Sequence, residues 1–397
     1  MSGLPSSAAA RPFAAAVALA AARARLGGAR TALAAGALAL LAAAGCSRAR
    51  GPVRIGIVLP PDFAAPAAIA TEEINAAGGV RGRRLELVSD SVPPGLPDVG
   101  GSHILRATSV LRLPVVAVVG HEGSGQSLAA APAYNASRIV QLVPTGTSRL
   151  LEEAGEWTLA LAPNDSVEGR FVAGFVRERL RARSVTIFYN NTEYGIGLRD
   201  GVRGALAGSG VRVLSAARYD GSADLAVLVE AALRHGTPDA VVIAGYALDA
   251  GRIAGQLRDR GVRSPIVAGD GAHVLPDLLR PRPDATAGMY VVTFWLPGST
   301  DSATRRFEAV VRRRLGREPA ARDAMVYDAV RLLATAVEAV GDRPRRIRDY
   351  LLALGVGRPR YRGLTGEIGF GAGAGAPRFV MGQVRGTVVV PIEALAR

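Results

Sequence analysis

The stretch "VVGHEGSGQS" (118–127) joins an apolar run to an alanine-rich one and gathers groups able to do chemistry. Its Gly120-x-x-x-x-Gly125-Gln126-Ser127 spacing is one residue away from the phosphate loop G-x-x-x-x-G-K-[ST], and Ser124 stands between two glycines, as a nucleophile could. A phosphate loop needs the lysine charge, which Gln126 lacks. A nucleophile elbow reads G-x-S-x-G, and Gly123-Ser124-Gly125 does not fit it. The histidines (His103, His121, His235, His273) are scattered. His121 lies on the same loop as Ser124, an awkward place for its general base, and reads as a loop residue bonded to backbone. No Cys, His, Asp or Glu group has metal-ligand spacing. The expectation is a protein that is not an enzyme and holds no metal.

What remains is a strand that ends, a glycine-rich turn that exposes Ser124, and a helix that begins. Backbone N–H groups there point outward without intrahelical acceptors, a site that suits a carboxylate as well as a phosphate. The next strand ends in "VPTGTS", again small and hydroxyl-bearing. If the two strands are parallel neighbours, Ser124, Thr145 and Thr147 meet outside their carboxyl ends, where ligands bind in such sheets. Each residue alone is also what an ordinary turn or helix cap uses. Two such strand ends in succession favour a ligand.

The elements that must hold these residues alternate along the chain. "VRIGIVLP", "LELVSD", "PVVAVVG" and "IVQLVP" read as strands, followed from residue 164 by "SVTIFYNN", "VRVLSAARY", "DAVVIAGY", "PIVAGDG" and "GMYVVTFW". Several are continuous in apolar residues, the mark of parallel strands covered on both faces. Helical patterns lie between them, "APAAIATEEINAAGG" and "SVEGRFVAGFVRERL" among them, so parallel sheets flanked by helices are expected. About 350 residues exceed a usual single core, so two sheets are expected rather than one. The glycine-rich end "GLTGEIGFGAGAGAPRFVMGQV" reads as two short antiparallel strands around a loop.

Composition bounds the partners. The formal net charge is +14, yet every one of the 48 basic residues is arginine and they are spread along the chain. A nucleic-acid footprint would cluster on one face, so none is expected. Residues 1–30 carry arginines and no acids, and "TALAAGALALLAAAGC" follows as an apolar run of secretory length ending at Cys46, the only cysteine. "AAGC" resembles a bacterial lipoprotein signal. Residues 1–45 would then be the signal peptide, Cys46 the lipid-bearing residue and 46–52 a tether, making the protein exported and held to the membrane by lipid alone.

Taken in order, "RIGIVLP…EEINAAGGVRGRRLELVSDS", "VVGHEGSGQS…VPTGTS", "LAPNDSVEGRFVAGFV", "VTIFYNNTEYGIGL", "PDAVVIAGY" and "PIVAGDG" are similar to the branched-chain amino acid binding proteins of ABC importers, over nearly all of residues 53–397. The resemblance implies an α/β fold of the type I periplasmic binding protein kind. Two Rossmann-like lobes with parallel sheets would be joined by three crossovers, near Pro163, Met289 and Leu364. Lobe 1 would comprise 53–163 and 290–363, and lobe 2 164–289 and 364–397. Carried over residue by residue, Ser124, Thr145 and Thr147 hold the α-carboxylate and part of the α-ammonium of a ligand. Asp270 faces the ammonium, and Tyr194 and Tyr246 close over the ligand. The resemblance implies a monomer without cofactor, an amino acid or similar small carboxylate as ligand, and an ABC permease as partner.

Two departures stand out. "LPPDFAAPAAIATEEIN" is several residues shorter than the family's first loop and helix, which help line the ligand's side-chain pocket, and "SDSVPPGLPDVGGSHILRATSVL" replaces the usual acidic pair and helix. They leave the ligand's identity open and keep a second reading alive, a ligand-sensing or scaffold lipoprotein with this fold and no transport role. Whether His121 and Glu122 face ligand or solvent is also open.

Overall fold

The computed structural model describes residues 51–93, 95–221, 223–298, 301–370 and 378–392, so the signal segment and Cys46 lie outside the described residues. The first lobe begins with β1 (Val53–Val58), α1 (Pro61–Ala76), β2 (Leu85–Ser89), α2 (Gly100–Val110), β3 (Ala117–Gly120), α3 (Ser124–Ser137), β4 (Val140–Val143) and β5 (Thr158–Ala160). Its sheet runs β2-β1-β3-β4-β5, all parallel. β3 and β4 are buried along their whole length, which is why they lack the polar alternation of a half-exposed strand. Only glycine can end β3: Gly120 has φ +144°, and a Cβ there would lie 2.5 Å from the Val58 carbonyl oxygen.

The second lobe follows with α4 (Asp165–Gly174), β6 (Ser184–Asn190), α5 (Glu193–Leu206), β7 (Arg212–Tyr219), α6 (Leu225–Leu233), β8 (Ala240–Ala244), α7 (Ala247–Asp259) and β9 (Ile266–Ala268). Two short helices, α8 (Leu275–Leu279) and α9 (Pro283–Thr286), lead to β10 (Tyr290–Thr293). The chain then forms α10 (Ser302–Leu315), α11 (Ala321–Val340), α12 (Pro344–Leu352), the hairpin β11 (Tyr361–Gly363) and β12 (Gly366–Ile368), and the hairpin β13 (Val380–Arg385) and β14 (Val388–Pro391). The second sheet runs β14-β13-β10-β9-β8-β6-β7; β6 to β10 are parallel, and β13 and β14 add an antiparallel edge.

Both sheets share one winding. The first strand of each lobe sits between its second and third, β1 between β2 and β3, β6 between β7 and β8. Strand order therefore reverses at β1/β3 and at β6/β8, and the loops leaving those carboxyl ends splay apart to make a crevice.

Two boundaries differ from those read in the sequence. Tyr290–Thr293 pairs with β9 and β13, so the second crossing follows Thr293 instead of lying near Met289. The β11–β12 hairpin stays with the first lobe, where Ile368 joins the core of α11, so the first lobe extends past Leu364 to Ile368. The reason is burial. α11 hides Met325, Val326, Ala329, Val330, Leu332 and Leu333 against α1 and the β1–β4 face, at roughly 1.5–3 kcal/mol for each larger side chain. No helix among the described residues is long and apolar enough to cross a membrane.

Candidate functional site

A cavity of about 310 Å³ lies between the lobes, and all six residues named from the sequence line it: Ser124, Thr145, Thr147, Tyr194, Tyr246 and Asp270. Each follows the carboxyl end of a strand, β3, β4, β6, β8 or β9. Parallel winding alone brings together residues as much as 146 positions apart in sequence (270 less 124).

On the first-lobe wall, the N–H groups of Ser124, Gly125 and Gln126 open α3 and have no intrahelical acceptor. Gln126 spends its side chain locally. Its Oε1 accepts from Gly123 N–H at 2.5 Å, and its Nε2 donates to both Asp98 carboxylate oxygens at 3.1 and 3.0 Å. Ser124 is not the exposed hydroxyl expected from its glycine neighbours; it is buried, at 2% exposure. Its Oγ accepts from the N–H groups of Thr147 (3.1 Å) and Ser148 (3.0 Å), tying the β3 and β4 loops together, and its own O–H remains to donate. The Thr145 hydroxyl is taken too, donating to the Glu122 carbonyl at 2.6 Å. The Thr145 hydroxyl is therefore not free for a ligand, and the cradle presents backbone N–H groups and the Ser124 O–H.

On the second-lobe wall, Tyr194 and Tyr246 stack with ring centroids 5.7 Å apart. Gly271 N–H donates to the Tyr194 hydroxyl at 3.0 Å, fixing that ring under Asp270. Behind Asp270 lie two more acids, Asp165 and Glu168, both on α4 and both buried. Glu168 Oε1 accepts from Asp270 N–H at 2.8 Å, while Glu168 Oε2, both Asp165 oxygens and Asp270 Oδ1 have no partner. Burial is the main cause of their pKa shifts; repulsion by Asp270 adds to it at Asp165 and Glu168, while the Glu168 and Tyr194 side chains hold Asp270 back. Glu168 is pushed far up, Asp165 is raised to about 8, and Asp270 only to about 6. Asp270 is thus the member of the trio that carries the charge at neutral pH. A carboxylate facing the cleft across from a helix N-terminus is arranged for a zwitterion.

Sequence reasoning missed several groups around this cavity. Phe63 and Arg322 line it, as do Asp98, His273, Thr293 and Phe294. Glu122 lines it as well, which answers one question left open by the sequence, and burial pushes its carboxyl up to about 7. His121 answers the other by turning inward, and not onto backbone as expected. Its Nε2 meets the Tyr134 hydroxyl at 3.2 Å and its Nδ1 meets His103 Nδ1 at 3.2 Å. Burial holds its imidazole neutral, down to about 3. The signals for Asp165 and Glu168 were present but ambiguous, because acids in the first turn of an amphipathic helix ordinarily face water. Among the described residues no group of three His, Cys, Asp or Glu could hold a metal.

Two doubly wound lobes with an anion cradle on one wall of the cleft and a carboxylate on the other define a two-lobed small-molecule-binding protein. Residues 56–385 match the family described as "Periplasmic binding protein", and the chain belongs to that family. It is 28% identical over 275 residues to the Leu/Ile/Val-binding protein homolog 1 of Brucella abortus, covering 68% of this chain and 72% of that one. Among solved structures, the leucine binding protein LivK of Thermotoga maritima superposes with a TM-score of 0.76 at 24% identity, covering 86% of this chain and 97% of its own. An ABC transporter substrate-binding protein of Desulfitobacterium hafniense, in complex with Leu, superposes with a TM-score of 0.72 at 26% identity, covering 86% and 100%.

Proposed function

We propose that this chain is the extracytoplasmic solute-binding component of an ABC importer, trapping an amino acid or similar small carboxylate between its lobes. The observation that carries the reading is the pairing across one cavity of the α3 N-terminus with Asp270. The ligand's carboxylate takes the free N–H groups of α3 and the Ser124 O–H, and its ammonium takes Asp270. Tyr194 and Tyr246 cover it. The ligand favours the closed arrangement because only there does it touch both walls, so its differential affinity drives closure. The work done is binding, with no covalent step. The relatives named above support an amino acid, and their family supports an extracytoplasmic setting. Acylation of Cys46 would hold the protein at the membrane and present it, as a monomer, to a permease.

A thermal-shift screen of the purified protein against amino acids and small carboxylates tests this reading. A ligand present at 100 times its Kd raises stability by about 2.7 kcal/mol, enough to move the midpoint by several degrees. If no compound shifts it, the scaffold reading replaces this one. Mass spectrometry of the N-terminal peptide from membranes tests the anchor, which requires a diacylated Cys46.

A further inference from the structure

Two ionisable side chains on the cavity wall are unused by a ligand held only through its carboxylate and ammonium. Glu122 lines the cavity, and its carboxylate makes no hydrogen bond or ion pair with any described residue. Arg322, in the first turn of α11, lines the same cavity. Its guanidinium lies over the Phe63 ring, 4.2 Å from the centroid, and its Nη2 is 3.3 Å from Asp62 Oδ2, while its Nε has no acceptor. Glu122 and Arg322 form no ion pair with each other, although the Arg322 charge opposes the rise that burial imposes on the Glu122 carboxyl. The shortened first loop puts Phe63 and Asp62 here. α1 starts at Pro61, three residues after β1 ends, and brings both side chains to Arg322.

Lobes closing over a branched aliphatic side chain would dry the Glu122 carboxyl and the Arg322 Nε against methyl groups, and polar groups buried without hydrogen-bond partners are unfavourable. A carboxylate side chain would meet Glu122 as well as Arg322, and an ammonium would meet Arg322 as well as Glu122, so the wall matches neither charge alone. A carboxamide offers two N–H donors and a carbonyl acceptor with no net charge, the complement of a carboxyl and a guanidinium held apart on one wall. Resting on the amino-acid reading of the cleft, we propose that the ligand is an α-amino acid whose side chain ends in a carboxamide, with Glu122 accepting from its NH2 and Arg322 donating to its oxygen. Glu122 and Arg322 are then the residues that set side-chain specificity, and Ser124 and Asp270 recognise what all α-amino acids share.

The test is titration calorimetry of the protein freed of carried-over ligand by unfolding and refolding. Asparagine and leucine, close in shape, are compared first, then glutamine, aspartate and lysine. Asparagine or glutamine is expected to bind at least tenfold more tightly than leucine, aspartate or lysine. Glu122→Leu should cut that amide-over-leucine ratio at least tenfold, and Glu122→Gln, which keeps the shape, should lower it as well; circular dichroism verifies that both variants fold. Leucine or a charged amino acid binding as tightly as the amides, or a ratio unchanged in both variants, overturns the proposal and leaves the amino-acid reading standing. Failure of every amino acid to bind overturns both.

Discussion

Replacing Asp165 by asparagine should stabilise the ligand-free protein by an amount that grows with pH. Asp165 is 1% exposed, and burial raises its pKa from 3.8 to about 8, against the opposing pull of the Thr147 hydroxyl. Because the folded-state pKa is the higher one, the folded protein binds more protons than the unfolded chain between about pH 4 and 8. Stability therefore falls as pH rises through that window, by roughly 1.4 kcal/mol per unit. From pH 4.5 to pH 7 the loss assigned to this one group is about 3 kcal/mol. The asparagine side chain does not titrate, so the stability difference between variant and parent should widen by that amount over the same interval. Urea unfolding at the two pH values, extrapolated to water, reads the difference directly. A difference that stays constant with pH would refute the reasoning, since it would mean that Asp165 ionises as easily in the fold as out of it.

Three other outcomes follow from the same walls. Asp270→Asn should weaken an amino-acid ligand by about 2–4 kcal/mol, through the stranded ammonium. It should also remove a loss of affinity that the parent shows as pH falls below about 6, where Asp270 takes up its proton; calorimetry across pH 5–8 reads both. Ser124→Ala leaves the N–H groups of Thr147 and Ser148 without their shared acceptor, so it should cost about 1–3 kcal/mol in urea unfolding as well as ligand affinity. Gly271→Ala would put a methyl 2.7 Å from Tyr194 Cε1, and displacing that ring should cost about 1–3 kcal/mol of stability along with binding, both measurable by thermal shift with and without ligand.

The residues proposed to take carboxylate and ammonium were legible because each follows a strand that could be read from its apolar run, and parallel winding sends all such ends to one edge. Gly120 and the small residues after β3 and β4 gave local signals of a strand stopping at a site. Arg322 gave none, since it lies 259 residues from Phe63 (322 less 63) and meets it only once the chain has crossed back after Thr293. The crossing itself was misplaced because Tyr290–Thr293 reads as a strand without saying which sheet it joins. The glycines flanking Ser124 suggest an open turn and cannot reveal that the β4 loop folds over its hydroxyl. The buried acids of α4 escaped notice for a similar reason. Nothing in "NDSVEG" distinguishes carboxylates facing water from carboxylates facing Asp270.

The most direct test is a crystal structure grown with the tightest-binding amino acid. The account predicts density between the lobes, with the carboxylate on the N–H groups that open α3 and the ammonium within hydrogen-bond distance of Asp270. Density elsewhere on the molecule, or a ligand in the cleft with those two ends reversed, would contradict it.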